Sequence, residues 1–418
     1  MRRPGGDGAV MDSAESLAAL VCQKAESARH DIIDLCASLV AAPSITPPGD
    51  TRAAAAAAIE WLALHGLEAR VIGDREDMPN VVVEVPGTEP GPHLILNGHL
   101  DTMGPGDASR WTVPQFELSR RDGRLYGLGM GNMKGAVAAM CAATAILSQN
   151  ACELTGTVTL LLVSDEVRFG DHGARYVLEH EPRMHGDAVI SGEGSGWMSL
   201  AVAEKGVAWL DLRASGSVGH ASAALKGETA PARLARVLCR LDELNDWHVE
   251  PPPDLAGALS DSAHPGRRVA VNAGILEAGD SRSMIAPDAR AELDVRLPPG
   301  LTLDSLDARV LECLEGSNVD YGRRRSWEAN WTDPADALAQ TVSSAARLVR
   351  GEPPVLTVRH PASDAMRWRS LGRPAVCYGP QPTLSAGVDD YAVEQDVIDC
   401  CAVYTLAALR YGHSLRPD

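Results

Sequence analysis

The feature that most constrains the fold is the alternation of apolar, strand-like runs with helical segments over the first 200 residues. The runs at residues 80–85 (NVVVEV), 93–101 (HLILNGHLD) and 156–166 (GTVTLLLVSDE) are rich in Val, Leu and Ile, and segments with helical periodicity lie before and between them. Strands without polar alternation are typical of sheets that helices cover on both faces. The alternation therefore predicts an α/β fold with a mostly parallel sheet.

The pattern changes near residue 200. From "VAWLDLRASG" to "VDYGRRRSW" the segments follow the order β-α-β-β-α-β, which is typical of a ferredoxin-like domain. A chain of 418 residues also exceeds the length that one core usually serves. We predict a catalytic-type α/β domain in two parts, residues 12–200 and 330–418, interrupted by an inserted ferredoxin-like domain at 201–329. Residues 1–11 are predicted to be a disordered lead-in.

Charge and composition exclude several classes of partner. The formal net charge is −18, with 56 acidic against 38 basic residues, which argues against nucleic acid or an anionic membrane surface. We find no apolar run that approaches the ~20 residues of a membrane helix, and no apolar stretch follows the two N-terminal arginines as in a signal peptide. The 9 cysteines form no C-x-x-C pair and favour a reducing compartment. We expect a cytoplasmic protein with no nucleic-acid or membrane partner.

Polar residues follow three of the apolar runs, at the point where each predicted strand ends. His99 and Asp101 end the second run, Asp165 and Glu166 end the third, and Glu193 follows "VIS" at 189–191. A His-x-Asp pair suits a metal-ligating imidazole oriented by a carboxylate, and a strand-end glutamate suits a general base or a ligand. Each alone could be a solvent-facing strand end. Because ligands bind at the carboxyl ends of parallel strands, the three together predict a site.

Two further loops carry residues of interest. The Gly-rich loop "LYGLGMGNMKG" at 125–135 contains Asn132, and it lacks both the G-K-[ST] of a phosphate-binding loop and the G-x-G-x-x-G of a dinucleotide turn. His220 lies in the Gly/Ser loop "SVGHASA", where a histidine taken alone is most often simply exposed.

Taken in order along the chain, several motifs carry a family resemblance. They are "PSITPPGD", "GHLDT", "LYGLGMGNMKG", "SDE", "SGEG", "GHAS", "DVRLPPG" and "SDAMRWRSLGRPAVCYGP". Over about residues 13 to 410 the chain resembles the zinc-dependent amidohydrolases and exopeptidases, such as acetylornithine deacetylase, succinyl-diaminopimelate desuccinylase, carboxypeptidase G and the aminoacylases. The resemblance implies a site with two zinc ions and an inserted domain that serves as lid and dimer contact.

The resemblance implies a role for each matching residue. His99 resembles the ligand of one zinc, Asp101 its orienting partner and Glu193 the carboxylate ligand of the same zinc. Glu166 resembles the general base that takes a proton from the bridging water.

The inserted domain carries two further matches. His220 resembles the lid histidine that such dimers offer to the neighbouring subunit's site, and Arg296 lies where the family often places an arginine for a substrate carboxylate. The resemblance also implies a homodimer formed through residues 201–329.

The chain departs from the family pattern around the other zinc. Asn132 takes the place of the bridging aspartate, Val167 that of a metal-binding glutamate, and Gly387 lies closest to the place of the C-terminal histidine. That zinc thus loses all three of its protein ligands, so we do not expect two zinc ions. We expect either no cofactor or a single, weakly bound zinc at His99 and Glu193, with Asn132 in contact with substrate instead.

One of three aspartates could strengthen the binding of the single zinc if it moved into the site. They are Asp171, Asp389 and Asp390.

Three functions are consistent with these residues. The first is an amidohydrolase- or peptidase-like enzyme acting on an amide or related bond of a small amino-acid-derived substrate, with Glu166 as acid/base and one metal at most. The second is a metal-free acid–base enzyme on the same fold, performing a cyclisation, elimination, isomerisation or acyl transfer. The third is a non-catalytic binding relative. The first is favoured by analogy, because the family that the chain resembles is hydrolytic.

Overall fold

The computed structural model describes residues 7–382 and 387–414, with side chains over 14–382 and 387–412. These residues divide into two compact units by their internal contacts. Unit 1 combines the described parts of Met1–Val202, Thr332–Thr357 and Ser363–Asp418, and unit 2 combines Ala203–Trp331 with Val358–Ala362.

The α-helices of the described residues are α1 Asp7–Ser27, α2 Arg29–Ala41, α3 Arg52–Leu64, α4 Gly135–Gln149, α5 Ala174–His180, α6 Ala230–Asp242, α7 Leu303–Leu314, α8 Ala337–Arg350, α9 Ala365–Ser370 and α10 Glu394–Ser414. The strands are β1 Arg70–Ile72, β2 Asn80–Pro86, β3 Glu89–His99, β4 Ser119–Arg121, β5 Arg124–Tyr126, β6 Thr155–Val163, β7 Ala188–Ser191, β8 Leu200–Glu204, β9 Gly206–Ser215, β10 Gly219–His220, β11 Ala270–Ala278, β12 Met284–Ile285, β13 Asp288–Leu297, β14 Val319–Trp327, β15 Asn330–Trp331, β16 Leu356–Arg359, β17 Ala375–Cys377 and β18 Tyr391–Val393.

The main sheet of unit 1 is parallel at its centre. Its strands follow the order β1-β2-β6-β3-β7-β17-β8, in which β6, β3, β7 and β17 are mutually parallel and β2 and β8 pair antiparallel at the two sides. The central strands are apolar and almost wholly buried, as expected for a sheet covered on both faces. The predicted α/β fold is confirmed.

Helix α4 is the buried helix of unit 1. Every residue from Gly135 to Leu147 is buried, and many are alanines. By length and composition alone, Met130–Gln149 could cross a membrane, so the expectation that no apolar run reaches that length is wrong. However, 94% of this segment is buried inside the protein, and the core helix of a globular protein can have the same length and composition.

Unit 2 contains the predicted ferredoxin-like arrangement. Strands β9, β11, β13 and β14 form an antiparallel sheet in the order β11-β13-β9-β14, and α6 and α7 follow β9 and β13 along the chain. Along β13 buried and more exposed residues alternate strictly, which is the period of a strand with one covered face. Helix α6 packs Leu234, Val237 and Leu241 against that face.

The predicted lead-in differs from the structure in part. Residues 1–6 lie outside the described residues. Residues 7–11 form the start of α1, consistent with the high helix propensity of alanine and methionine within them.

Candidate active site

Three neighbouring strands bring the main candidate residues together. His99 is the last residue of β3, Glu166 follows β6 by three residues and Glu193 follows β7 by two. Because β6, β3 and β7 are adjacent and parallel, their carboxyl ends meet at one edge of the sheet. One ligand atom from each of the three side chains lies within 4.8 Å of the others, and all three residues are buried. The cluster could hold one metal ion.

His99 is surrounded by oxygen atoms. Its Nδ1 lies 2.8 Å from the backbone carbonyl of Asp101, and its Nε2 lies 2.9 Å from Oδ1 of Asn132. The same Nε2 is 3.3 Å from a carboxylate oxygen of Glu193 and 3.7 Å from one of Glu166. Burial alone would lower the pKa of His99, but the neighbouring carboxylates outweigh it and raise the pKa well above its ordinary value.

Asp101 fixes the turn that carries Glu166. Its carboxylate accepts hydrogen bonds from the backbone N–H of Glu166 (3.1 Å) and of Val167 (3.0 Å), and from Oγ1 of Thr46 (3.1 Å). It lies 3.5 Å from Nδ1 of His99, farther than the Asp101 carbonyl. Burial would raise the pKa of Asp101, but His99 first, and then the backbone N–H groups of Val167 and Glu166, hold the pKa below its usual value. The carboxylate of Asp101 therefore orients the turn that carries Glu166 more directly than it orients the imidazole of His99.

Glu166 is a buried carboxyl group among other acids. Burial chiefly, with Glu193 and Asp364 adding to it, raises the pKa of Glu166 well above its ordinary value, and His99 opposes this shift. A glutamate with a raised pKa suits a group that accepts and returns a proton near neutral pH.

Two residues near Glu166 had no predicted role. Asp364 accepts a hydrogen bond from Nε of Arg367 (3.0 Å), and Arg367 also donates to the carbonyl of Gly170 (3.2 Å) in the loop after Glu166. Burial raises the pKa of Asp364 to about 6. Both residues belong to the "SDAMRWRS" motif of the resemblance, and that motif is the signal that could have identified them.

The three residues predicted to take the place of the family's ligands line one small cavity. Asn132, Val167 and Gly387 surround it together with Asp390 and Thr102. It measures about 10 Å³, which is room for about one water molecule. Only Asn132 among the three offers a side-chain donor or acceptor, and its Oδ1 faces His99.

The aspartates that could strengthen the binding of the single zinc are engaged elsewhere. The two carboxylate oxygens of Asp390 accept the backbone N–H of Gly129 (2.8 Å) and of Gly131 (3.2 Å). Asp389 accepts two hydrogen bonds from Thr112 (2.7 and 2.8 Å).

The third of these aspartates is also paired. Asp171 forms an ion pair with Arg175 at 2.8 Å. The hypothesis that one of the three aspartates moves in is thus not favoured by their positions.

His220 and Arg296 belong to unit 2. His220 is exposed at the end of β10, with Nδ1 bonded to Oγ of Ser222 (2.8 Å). Arg296 projects from β13 and binds both carboxylate oxygens of Asp294, at 2.7 and 2.9 Å.

Comparison with known proteins now decides the family. The model of "Peptidase family M20/M25/M40" matches residues 95–410, well over half of the chain. The chain belongs to this family. The predicted resemblance is confirmed, and the matched region includes His99, Asn132, Glu166, Glu193 and Gly387.

Curated relatives of the M20 chain cover most of its length. A protein named succinyl-diaminopimelate desuccinylase from Parvibaculum lavamentivorans is 28% identical over 384 residues, 88% of this chain and 92% of its own. One named acetylornithine deacetylase from Proteus mirabilis is 31% identical over 236 residues, 56% of this chain and 58% of its own.

Solved structures share the fold at low identity. An M20 family metallo-carboxypeptidase from Sulfolobus solfataricus matches with a TM-score of 0.74 and 18% identity, over 91% of this chain and 99% of its own. A protein from Bacillus subtilis titled as a dinuclear metal-binding peptidase of the M20 family matches with a TM-score of 0.67 and 16% identity, over 93% and 100% of the two chains.

Members of the M20 family normally depend on zinc, so we tested whether the residues present fit that ion. His99 and Glu193 supply an imidazole and a carboxylate, which are donor types of a catalytic zinc, and a carboxylate oxygen of Glu166 lies within 4.8 Å of both. With Glu166 reserved as acid/base, the cluster offers one protein ligand fewer than the usual three, which corresponds to a weakly held ion. The cavity lined by Asn132, Val167 and Gly387 offers a neutral amide and an apolar side chain, and the carboxylate of Asp390, which also lines it, is bonded to the backbone N–H groups of Gly129 and Gly131. That set does not fit a second zinc, whereas the His99 cluster fits one.

Proposed function

We propose that the protein is an atypical M20 enzyme that acts on an amide or related bond of a small amino-acid-derived substrate, with Glu166 as acid/base and one metal ion at most. The relatives named succinyl-diaminopimelate desuccinylase and acetylornithine deacetylase support this substrate class. The observation that carries the proposal is the buried Glu166 carboxyl beside His99 and Glu193.

Each residue of unit 1 has a defined task under this proposal. His99 and Glu193 would hold a single zinc, which when bound supplies polarisation of a carbonyl and a water of lowered pKa. Glu166 takes a proton from the attacking water and returns it to the leaving nitrogen. Asp101 holds the backbone of Glu166 in place through its hydrogen bond. Asn132, whose Oδ1 faces His99, has its amide N–H groups left to donate to a substrate oxygen.

The inserted domain contributes two further proposed contacts. Nη1 of Arg296 has no hydrogen-bond partner among the described residues, since Asp294 engages Nε and Nη2, and it would bind a substrate carboxylate. His220 keeps Nε2 available, since Nδ1 is bonded to Ser222, and it would serve the neighbouring subunit of a homodimer. None of the nine cysteines, all of which lie among the described residues, forms a disulfide, which supports a cytoplasmic location.

A second candidate function is a metal-free acid–base enzyme on the same fold. It is favoured by the surroundings of His99, whose two ring nitrogens both lie within 2.9 Å of an oxygen acceptor. A doubly protonated imidazole satisfies both contacts, whereas a zinc ligand needs the Nε2 lone pair. His99 and Glu166 would then act as an acid–base pair, one donating a proton to the substrate and the other accepting a proton from it.

The test is a substrate panel with a matched variant. The full-length protein is incubated with N-acetyl, N-succinyl and N-formyl amino acids, and released amine is measured by mass spectrometry with and without chelator. We expect turnover of at least one amide, lost in Glu166→Gln. Activity that persists in chelator and yields no free amine would favour the metal-free candidate. No chemical change to any substrate, and a cellular role untouched by Glu166→Gln, would overturn both.

A further inference from the structure

Unit 2 contains a buried lysine without an acidic partner. Lys205, at the junction of β8 and β9, is only 4% exposed. Its ammonium donates to the carbonyl of Arg268 at 2.7 Å, and its backbone N–H donates to the carbonyl of Arg359 at 3.0 Å. Among the described residues no carboxylate lies within ion-pair distance of Lys205 Nζ, and its charged neighbours are arginines. A buried ammonium is costly unless an anion compensates its charge.

The strands align two arginines with Lys205. Val207 and Ala270 both pair with Arg296 across the sheet. Lys205 precedes Val207 by two residues, and Arg268 precedes Ala270 by two. Lys205 and Arg268 thus lie just before β9 and β11, at the end of the sheet where Arg296 is paired, and both arginines act electrostatically on Lys205.

Two histidines complete the group. The rings of His264 and His360 meet edge to face with their centroids 6.4 Å apart. Nδ1 of His264 accepts the backbone N–H of Gly266 at 2.9 Å, so the proton of the neutral ring lies on Nε2 and is available for donation. His360 forms no hydrogen bond with any described residue, so its ring is equally available.

Burial and basic neighbours lower the pKa of two members of the group. Burial, assisted by Arg268 and Arg296, lowers the pKa of Lys205 to about 8. Burial, assisted by Lys205 and His264, lowers the pKa of His360 to about 4.

Two acids face the group, and neither neutralises Lys205. Asp294 is bonded to Arg296 through both oxygens, and Asp261 acts on His264. A protein with a net charge of −18 thus keeps a cluster of basic side chains around Lys205, whose ammonium donates to a backbone carbonyl and not to a carboxylate.

We propose that Lys205, Arg268, His264 and His360 form a binding site for the oxyanion of a small molecule, either a carboxylate or a phosphate group. The ammonium and the guanidinium supply charge, and the two imidazoles supply directed donors. The bound anion replaces the missing acidic partner of Lys205. The proposed site contains none of His99, Glu166 and Glu193, so anion binding to it can be measured separately from the reaction; its neighbour Arg296 is the residue proposed above to bind a substrate carboxylate.

The test measures anion binding to the full-length protein by titration calorimetry in a low-chloride buffer. Malonate and inorganic phosphate serve as the two probes. We expect saturable binding of one anion per chain, weakened at least tenfold in Lys205→Met, which keeps the apolar stem and removes the charge. Preference for malonate identifies a carboxylate ligand, and preference for phosphate identifies a phosphorylated one. Arg213→Met, which removes an exposed arginine farther along β9, is the matched control and should bind like the unchanged protein.

A second variant keeps the proposal falsifiable if Lys205→Met does not fold. His360→Asn leaves Lys205 in place and should weaken binding several-fold. Either of two results would overturn the site: neither anion binds saturably, or the variants that fold bind as tightly as the unchanged protein. Equal weakening of anion binding in Arg213→Met would likewise overturn the site, because the loss would then follow from the overall charge of the protein.

Discussion

At the scale of single residues, Glu166 is the group on which the proposed chemistry depends. It is 5% exposed, lies near His99 and Glu193, and has a raised pKa. General acid–base groups contribute about 10²- to 10⁴-fold to a rate. Glu166→Gln should therefore lower kcat by about that factor, while the thermal midpoint stays equal or rises because a buried carboxyl is removed.

The matched control for this variant is Glu76→Gln, at an exposed glutamate. Both proteins are assayed on whichever amide the substrate panel identifies. Glu166→Gln retaining full kcat would remove Glu166 from the mechanism.

Asn132 is the residue that we propose limits how tightly the cluster holds metal. Its Oδ1 lies 2.9 Å from Nε2 of His99, so Asn132→Asp places a carboxylate beside the two existing ones. Anionic oxygen is a far better zinc ligand than a neutral amide. We expect zinc affinity to rise at least tenfold, measured by competition with a chromogenic chelator. Asn318→Asp, at an exposed site, is the control, and unchanged affinity in Asn132→Asp would contradict the role given to this position.

At the scale of elements, the strand ends explain what could be predicted. The apolar runs ending in His99 and Glu166 were sufficient to predict that these residues meet, because adjacent parallel strands share a carboxyl edge. The order β-α-β-β-α-β likewise predicted the elements of the inserted domain, whose strand β13 has one covered face.

Other contacts have no local signal in the sequence. The carboxylate of Asp101 binds backbone groups 65 and 66 residues away, and Arg367 binds a carbonyl 197 residues away. Such contacts follow from tertiary packing. The junction between the Gly-rich loop and α4 likewise has no such signal: Asn132 has the extended angles φ −136° and ψ 96°, and the regular helix begins at Gly135.

Lys134, which directly precedes α4, is a buried lysine whose charge affects the stability of the fold. It is 2% exposed and donates one hydrogen bond, to the carbonyl of Ala42 at 3.2 Å. Burial lowers its pKa to about 8, below the 10.5 of a free lysine, so the folded chain binds this proton less tightly than the unfolded chain. The resulting penalty is full below about pH 8 and fades as pH rises toward 10.5.

Lys134→Met should therefore raise the free energy of unfolding by about 2 kcal/mol at pH 7, from the roughly 1.4 kcal/mol that each pKa unit represents, less the lost hydrogen bond. The gain should shrink at pH 10. Urea unfolding at the two pH values measures it, with the exposed Lys226→Met as control. An equal gain in the free energy of unfolding at pH 7 and at pH 10 would refute the buried charge of Lys134 as its cause.

At the scale of the whole molecule, the proposed homodimer has a candidate surface in unit 2. Strand β11 is the edge of its sheet, and its residues from Asn272 to Ala278 are all exposed. Ile275 and Leu276 are 43% and 61% exposed. An edge strand with apolar side chains is a template for pairing with another chain.

Leu276→Lys should convert a dimer to a monomer, because it places a charge on this edge. Sedimentation velocity at micromolar protein measures the change. Val71→Lys places the same charge on the exposed edge strand β1 of unit 1 and should remain dimeric. A monomeric unchanged protein, or a dimeric Leu276→Lys, would rule out this surface.

The central claim is that an M20 fold retains one cluster of metal-type ligands and has lost the other. His99, Glu166 and Glu193 remain together, while Asn132, Val167 and Gly387 line a cavity without a ligand set for zinc. The most direct test is the zinc content of the purified full-length protein by elemental mass spectrometry, after saturation with zinc and removal of free metal. The account predicts no more than one zinc per chain; two tightly bound zinc ions per chain would contradict it.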